Sequence, residues 1–230
     1  MEQLRPHLVM FDIDGTLTLS NEVDAHCYGR AMSEFLGCAI DEEWSHYTHV
    51  TDSGIASELF SRHQRRLEEL PAVRKRFVAL LAESLAADPD MGRQVGGANS
   101  FLQRLRATPG VSVGLATGGW AESAGLKLRH AGADAAGLAF ASADDAESRT
   151  EIMLLCRDRA ADLANVDSFA TLTYVGDGLW DAQAAIALGW RFIGIGAGIQ
   201  AQRLRSRGAG HVFEDFSDHQ AILHALGLGL

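Results

Sequence analysis

The sequence predicts an α/β protein in which a doubly wound, Rossmann-like parallel sheet carries an inserted α-helical cap domain. From residue 98 onward, short apolar runs alternate with segments of helical spacing, a pattern typical of parallel strands joined by helices. Residues 20–95 instead contain helical patterns and no strand pattern, although a strand precedes them. We therefore expect a core domain formed by residues 1–17 and 97–230, with a helical cap domain at residues 18–96.

The composition is that of a globular, acidic protein. The chain has 230 residues, of which 47% are hydrophobic, and this is enough for one sizeable domain with a modest insertion. Its 20 lysines and arginines are outnumbered by 30 acidic residues, and the net charge of −10 argues against a nucleic-acid or membrane partner. A small phosphorylated metabolite remains compatible, because a metal ion and a few placed cations can hold it.

The cysteines and the N-terminal segment bear on the expected location. The three cysteines form no C-x-x-C pair, and their odd number suits a reducing compartment. The chain has no run of about 18 apolar residues and no apolar signal-peptide segment at its start. We expect a cytoplasmic protein that is a monomer or a homodimer.

Two carboxylates follow the first apolar run. Residues 8–11 form this run and predict a buried strand, after which Asp12, Asp14 and Gly15 enter a turn. Ligands of open α/β sheets gather at the carboxyl ends of such strands, and residues two apart in an extended chain face the same side. Two like charges at this distance repel each other, and a bound cation would relieve the repulsion. This stretch therefore predicts an active-site loop.

The inserted block is expected to hold three helices. Apolar residues recur at helical spacing in residues 22–36, 52–63 and 71–87, and Gly37 marks the end of the first helix. The glycine-rich segment 92–97 indicates the linker back to the core. The remaining elements are expected as helix 98–107, strand 111–116, helix 120–131, strand 138–141, helix 149–164, strand 171–176, helix 179–188, strand 191–195, strand 211–213 and helix 218–226.

Polar residues also end two later strands. Thr117 is followed by Gly118 and Gly119 ahead of a helix, and such a turn offers a hydroxyl and backbone N–H groups to an anion. Asp177 ends another strand, and Asp181 lies one turn into the next helix on the side that faces the loop. Carboxylate oxygens suit Mg²⁺, which needs only one or two protein carboxylates together with substrate oxygens.

These motifs together resemble a known family. Residues 12–18 read DIDGTLT and resemble the first signature of the haloacid dehalogenase-like (HAD) hydrolase superfamily. Thr117 matches the second signature, and residues 176–181 match the fourth, GDxxxD. The inserted helical block resembles the branch of phosphoglycolate phosphatase and β-phosphoglucomutase, whose cap follows the first signature. The resemblance covers nearly the whole chain.

The resemblance implies a role for each matching residue. Asp12 is expected to be the phosphorylated nucleophile, Asp14 the general acid and base, and Thr117 a ligand of the transferring phosphate. The expected cofactor is Mg²⁺, held by the four acids Asp12, Asp14, Asp177 and Asp181. The loop residues expected to bind phosphate are Gly15, Thr16, Gly118 and Gly119.

The third element of the family departs from its usual pattern here. It is normally a lysine that neutralises the nucleophile and the phosphate, yet the chain has only Lys75 in the cap and Lys127 in the helix after Thr117. Arg149 stands at the expected place, in a first helical turn capped by Ser148. A cation there opposes the helix dipole, which a function would explain. We favour Arg149 as the catalytic cation and keep Lys127 as the second candidate for phosphate binding.

Substrate selection is expected from the cap. Within it, the polar stretch 46–53 is the candidate for contact with the leaving group, with His49 and Asp52 as binding residues. The alternative is an interhelical loop in which Thr51 or Asp52 is an N-cap.

The predicted function is a Mg²⁺-dependent phosphatase that acts on a small phosphorylated metabolite through an aspartyl phosphate. A phosphomutase of the β-phosphoglucomutase type uses the same core and stays an alternative. A dehalogenase is disfavoured because the second acid and the metal-binding acids are present, and a phosphonatase would need a cap lysine, for which only Lys75 is available. From another class, a receiver-like signalling domain also phosphorylates an aspartate, but such domains have no inserted cap.

Overall fold

A computed structural model describes residues 6–229 and confirms the doubly wound α/β fold. Within this range the sheet has six strands, all paired in parallel, in the order β3-β2-β1-β4-β5-β6. Its strands are β1 (His7–Phe11), β2 (Val111–Ala116), β3 (Ala139–Ala141), β4 (Thr171–Gly176), β5 (Arg191–Ile195) and β6 (His211–Phe213). Strands β2 and β3 lie on one side of β1, and β4, β5 and β6 lie on the other, so the first strand is in the middle of the sheet.

Nine α-helices lie within the described residues. Three of them, α1 (Asn21–Leu36), α2 (Asp52–Arg62) and α3 (Leu70–Ala87), lie between β1 and β2 in the chain. The others are α4 (Ala98–Arg106), α5 (Ala121–His130), α6 (Arg149–Ala164), α7 (Leu179–Ala187), α8 (Gly198–Ser206) and α9 (His219–Leu226). None of the described helices is long and apolar enough to cross a membrane.

The expected elements are present, and their boundaries agree with the prediction to within one residue at each end. Helix α8 was not predicted, because it begins at Gly198 and buries only Ala201 and Leu204, too few positions for a helical pattern. Two short 3₁₀ turns, Trp44–His46 and Leu67–Glu69, were also not predicted.

The central strand is buried on both faces. Val9 and Phe11 of β1 pack with Phe101 of α4 in one hydrophobic cluster, while Leu8 and Met10 pack into the cluster on the other face. Side chains alternate between the two faces of a strand, so a strand covered by helices on both sides reads as a continuous apolar run. This accounts for the sequence pattern that predicted β1.

Helices α1–α3 share a hydrophobic cluster of their own. It is joined to the sheet-bearing part through Trp120, whose ring lies 5.6 Å from that of Tyr28 and 5.9 Å from that of Phe77. The two chain segments that connect these helices to the sheet run side by side, with Leu19 N–H donating to Arg93 O at 2.7 Å. The helical block therefore leaves and re-enters the sheet at one place, beside the end of β1.

Candidate active site

Three polar strand ends meet at one edge of the sheet. Strand β1 lies between β2 and β4, so Asp12, Thr117 and Asp177, which follow these three strands, are neighbours in space. They line a cavity of about 230 Å³ that is closed on the opposite side by residues of α1 and α2. The carboxyl edge of a parallel sheet is where such folds bind ligands.

The loop after β1 is shaped by Gly15. Its φ of +70° lies in the left-handed region, and a Cβ there would stand 2.1 Å from Oδ2 of Asp177. Thr16 is buried, and its hydroxyl donates to Oδ1 of Asp177 at 3.4 Å. Neither Gly15 nor Thr16 is among the described residues that line the cavity. Both therefore brace the loop against Asp177, while the expected direct phosphate contact stays a prediction.

The pKa of Asp12 is raised by its surroundings. It is only 4% exposed, and burial, followed by repulsion from Asp181, raises its pKa to about 7 despite the opposing charge of Arg149. Burial and the charge of Asp12 likewise raise the pKa of Asp177 to about 7, although Asn21 donates a hydrogen bond to that carboxylate at 2.8 Å. Several buried acids thus share one site that holds too little positive charge.

The acid cluster fits a divalent cation. Ligand atoms of Asp12, Asp177 and Asp181 all lie within 4.8 Å of one another. Oδ1 of Asp181 is buried and accepts no hydrogen bond, although Nη1 of Arg149 lies 2.9 Å away. Hard carboxylate oxygens with unsatisfied capacity are the ligands that Mg²⁺ prefers. These three carboxylates could therefore hold the ion.

The carboxylate of Asp181 is folded back over the end of β4. Its Oδ2 accepts a hydrogen bond from Gly178 N–H at 2.9 Å, and a Cβ on Gly176 would lie 2.4 Å from the same oxygen. Only glycine leaves room for this approach. The glycine of the GDxxxD motif is thus explained by the close contact between Gly176 and Asp181.

Asp14 lies apart from the three clustered carboxylates. Its Oδ1 accepts a hydrogen bond from Ser20 at 2.5 Å, and its Oδ2 lies 2.6 Å from Nζ of Lys127. Both oxygens already have partners, so the expected ligation of a metal by this side chain gains no support from the geometry. Asp14 does line the cavity and faces the same space as Asp12.

Arg149 is the cation beside Asp12. Its Nη1 lies 3.3 Å from Oδ1 of Asp12, and its Nη2 donates to Val50 O at 3.2 Å. Burial disfavours the charged guanidinium, but Asp181 and Asp12 outweigh that effect and raise its pKa. A Cβ on Gly118 would stand 2.2 Å from Nη2, so the glycine makes room for the guanidinium. Ser148 caps the helix as predicted, accepting from Glu151 N–H at 3.3 Å.

Lys127 occupies a different position. The side chain is fully buried, and its ammonium lies 2.6 Å from Asp14 and 2.5 Å from Oδ1 of Asp24, a residue of α1. Burial opposes the charge of Lys127, but the carboxylates of Asp14 and Asp24 raise its pKa nonetheless. Of the two candidate cations, Arg149 therefore lies against Asp12 and Lys127 lies against Asp14.

Asp24, Ser20 and Asn21 were not anticipated. All three lie at the start of α1, where Asp24 contacts Lys127, Ser20 contacts Asp14 and Asn21 contacts Asp177. The available signal was their spacing, because polar residues in the first turn of a helix that follows the DxDGTLT loop must lie near that loop. The spacing of apolar residues indicates which face of a helix is buried, and it carries no information about polar residues on the other faces.

The turn after β2 lines the cavity. Thr117 is buried, its N–H donates to Ala141 O at 3.1 Å, and its hydroxyl accepts from Gly119 N–H at 3.2 Å. Thr117, Gly118 and Gly119 all line the cavity. Their hydroxyl and backbone groups are therefore placed to meet a ligand bound beside Asp12.

His49 and Asp52 are placed differently from each other. Asp52 lines the cavity, but its Oδ2 accepts from Trp120 N–H at 2.8 Å, so this carboxylate is engaged in joining α2 to α5. His49 lies outside the cavity and lines a neighbouring groove. Thr51 is the N-cap of α2, accepting from Gly54 N–H at 3.0 Å, as the structural alternative for this stretch predicted.

Comparison with known proteins identifies the family. The haloacid dehalogenase-like hydrolase family matches residues 6–189. The chain therefore belongs to this family and is a hydrolase. No curated protein matches the sequence.

Solved structures share the fold at low sequence identity. A hydrolase from Pseudomonas syringae is 20% identical with a TM-score of 0.72, and the match covers 97% of this chain and 100% of that one. A phosphonoacetaldehyde hydrolase-like protein from Oleispira antarctica is 14% identical with a TM-score of 0.69, over 98% and 95% of the two chains. A protein from Bacteroides vulgatus, provisionally assigned as a β-phosphoglucomutase, is 18% identical with a TM-score of 0.68, over 98% and 90%.

Proposed function

We propose that the protein is a Mg²⁺-dependent phosphatase that hydrolyses a small phosphorylated metabolite through an aspartyl phosphate on Asp12. The observation that carries the proposal is the position of Asp12, a buried carboxylate at the end of the central strand that faces a cavity beside Arg149 and Thr117. A nucleophile with an adjacent cation and an anion-binding turn is the arrangement that phosphoryl transfer requires.

Two carboxylates divide the chemistry. An oxygen of Asp12 attacks phosphorus, and the bond from phosphorus to the leaving oxygen breaks while Asp14 gives that oxygen a proton. Asp14 then takes a proton from a water molecule whose oxygen attacks the phosphorus, which frees Asp12 and releases inorganic phosphate. The contacts of Asp14 with Ser20 and Lys127 hold its carboxyl group in one orientation for both steps.

The remaining groups stabilise negative charge on the transferring phosphoryl oxygens. Arg149 supplies a guanidinium, and the turn from Thr117 to Gly119 supplies a hydroxyl and backbone N–H groups. When Mg²⁺ is bound by Asp12, Asp177 and Asp181, it adds the positive charge that these carboxylates lack among themselves.

The helical block at residues 18–96 acts in this proposal as a cap that excludes water. It contacts the sheet-bearing part directly over the cavity, where Asp52 N–H donates to Gly118 O at 2.7 Å and the Thr51 hydroxyl donates to Glu147 O at 2.6 Å. Because the block is attached at a single place beside β1, closure needs only a small change in the paired connecting segments.

The position of Lys75 distinguishes a phosphatase from a phosphonatase, and the reaction product distinguishes it from a phosphomutase. Lys75, which a phosphonatase would require near the substrate, is exposed on α3 and does not line the cavity. A phosphomutase would use the same groups and differ only in passing the phosphoryl group to a second hydroxyl instead of to water. The nature of the product therefore decides between phosphatase and mutase.

The test measures phosphate released from p-nitrophenyl phosphate and from a panel of sugar and alcohol phosphates, with Mg²⁺ and with excess EDTA. Release that requires Mg²⁺ and is abolished by Asp12→Asn supports the proposal. The matched control is Asp167→Asn, which neutralises an exposed aspartate outside the cavity and leaves activity unchanged. Undiminished activity in EDTA refutes the metal dependence, and an isomeric phosphate ester without phosphate release establishes the mutase.

A further inference from the structure

A second, larger depression adjoins the active-site cavity. It has a volume of about 930 Å³ and lies between the segment 43–50 of the helical block, the start of α6, and helices α7 and α8. We call it the outer groove. Its wall includes His49, Arg203 of α8 and Arg207, the residue that caps the end of α8.

The outer groove is basic in a protein that is acidic overall. Three arginines line it, Arg149, Arg203 and Arg207, against the single carboxylate of Glu43. Arg149 is already paired with Asp12 and Asp181. By contrast, neither Arg203 nor Arg207 forms an ion pair with any described residue, and Arg207, the C-cap of α8, follows Arg203 by four positions, about one helical turn. The net charge of the chain is −10, so this concentration of unpaired positive charge stands out.

The outer groove is continuous with the catalytic cavity. Four residues line both spaces, Trp44, Val50, Arg149 and Trp180. Trp180 lies against the backbone of Gly178, where a Cβ would stand 2.3 Å from the indole nitrogen. Trp44 is held from the other side, with its ring 6.0 Å from that of Tyr28. Two aromatic rings thus border the passage from one space to the other.

The small volume of the inner cavity also indicates that part of the substrate lies outside it. Its volume of about 230 Å³ must hold the phosphoryl group and the atoms next to it. Sites for small molecules commonly have volumes of about 300 to 1,000 Å³, so the inner cavity is small for a whole metabolite. The inner wall is acidic as well, with Asp14, Asp24 and Asp52 among its residues, and it would repel a second negative group on the substrate.

Given the phosphatase activity proposed above, we propose that the outer groove binds a second anionic group of the substrate. The scissile phosphate lies beside Asp12, the carbon chain passes between Trp44 and Trp180, and a distal phosphate or carboxylate is held by Arg203 and Arg207. These two arginines are specificity residues that take no part in the bond-breaking steps. The favoured substrate class is therefore a phosphate ester with a second anionic group at the far end of its leaving group.

The test compares matched esters. The monophosphates of propane-1,3-diol, butane-1,4-diol and hexane-1,6-diol are assayed beside the corresponding bisphosphates, and kcat/KM is measured for each. The wild-type protein is expected to prefer at least one bisphosphate over its monophosphate by about tenfold or more, because two charge-assisted contacts are gained. The preference should depend on chain length, since the distance from Asp12 to the arginines is fixed.

Variants assign the preference to the groove. Arg203→Glu/Arg207→Glu should reduce the ratio of bisphosphate to monophosphate kcat/KM to about one or below, and Arg203→Gln/Arg207→Gln should reduce it partly. The control is Arg205→Glu, which makes the same charge reversal on α8 at a residue that does not line the groove and donates to Val212 O. This control should keep the wild-type ratio.

Three results overturn the inference. The first is a wild-type protein that hydrolyses mono- and bisphosphates equally well. The second is a double variant in which both substrate types lose activity by the same factor. The third is stimulation of monophosphate hydrolysis by added sulfate that disappears in Arg203→Glu/Arg207→Glu, because the groove would then bind a free anion and not part of the substrate. Failure of the proposed phosphatase function is seen separately, as absence of p-nitrophenyl phosphate hydrolysis.

Discussion

Nζ of Lys127 lies 2.5 Å from Oδ1 of Asp24, which places a buried ion pair between α5 beside the sheet and α1 of the helical block. The same ammonium contacts Asp14 at 2.6 Å. One fully buried cation therefore links a proposed catalytic carboxylate to the helices that cover the site. Removing Lys127 leaves Asp14 and Asp24 without this cation, which is far more destabilising than losing a surface pair, whereas removing Asp24 leaves Lys127 paired with Asp14.

The first prediction concerns this ion pair and stability. Lys127→Met should lower the free energy of unfolding by about 3 kcal/mol, and lower Tm by about 10 °C, because Asp14 and Asp24 lose their cation. In the Asp24→Asn background the same substitution should be less destabilising by about 1 kcal/mol or more. Denaturant unfolding of the four proteins in this cycle gives the coupling energy. A coupling energy of zero would show that Asp24 and Lys127 do not interact in solution.

The second prediction compares the two candidate cations in catalysis. Arg149→Ala should reduce kcat by a hundredfold or more, and by more than Lys127→Ala, because of these two cations only Arg149 lies beside Asp12, the proposed nucleophile. Arg149→Lys should recover part of the activity, since it restores a positive charge without the second Nη contact. Kinetics on p-nitrophenyl phosphate measure both. An inactive Lys127→Ala that is still folded, together with a nearly normal Arg149→Ala, would reverse the assignment.

The third prediction concerns pH and metal. Burial and the charge of Asp12 raise the pKa of Asp177 from 3.8 to about 7, so between pH 4 and 7 the folded protein binds more protons than the unfolded chain. The contribution of Asp177 to the free energy of unfolding of the metal-free protein therefore falls as the pH rises from 4 to 7. Asp177→Asn should raise Tm of the metal-free protein at pH 8 by about 2 to 4 °C and leave it nearly unchanged at pH 4.

Added Mg²⁺ should act in the same pH range. It should raise Tm of the wild-type protein more at pH 8 than at pH 5, because the ion competes with protons for the clustered carboxylates. In Asp177→Asn this increase should be much smaller, whereas in Asp167→Asn it should match the wild type. Thermal melts over a pH series with Mg²⁺ or EDTA provide the measurement. An equal Mg²⁺ effect in Asp177→Asn would exclude Asp177 as a ligand.

The fourth prediction separates His49 from Asp52, which were expected to act alike on substrate choice. Asp52→Ala removes the acceptor of Trp120 N–H, so it should lower kcat/KM for all esters by a common factor and reduce Tm. His49 lines the outer groove but not the inner cavity. His49→Ala should therefore lower kcat/KM for esters with long leaving groups and leave kcat/KM for p-nitrophenyl phosphate unchanged. Relative kcat/KM values for short and long esters test both. A common factor in His49→Ala would make that residue structural.

Much of the fold could be read from local patterns. Strand β1 appears as the run Leu8–Phe11 because helices cover both faces of the central strand, and the parallel sheet follows from the alternation of strands and helices. The meeting of Asp12, Thr117 and Asp177 was also predictable, since the carboxyl ends of neighbouring parallel strands share one edge. Helix α8 escaped because its buried residues are too few to form a pattern.

The tertiary structure alone decided the partners of the charged side chains. Lys127 and Asp24 are 103 residues apart, and Arg149 and Asp12 are 137 residues apart, so each pairing depends on how helices pack against the sheet. Two cations in one sequence can each reach a carboxylate, and local spacing carries no information about which one does. For the same reason, the basic outer groove depends on α8 and the segment 43–50 lining the same space. The sequence by itself thus determined the fold and the residues at the strand ends, whereas packing between distant elements determined which charges face each other.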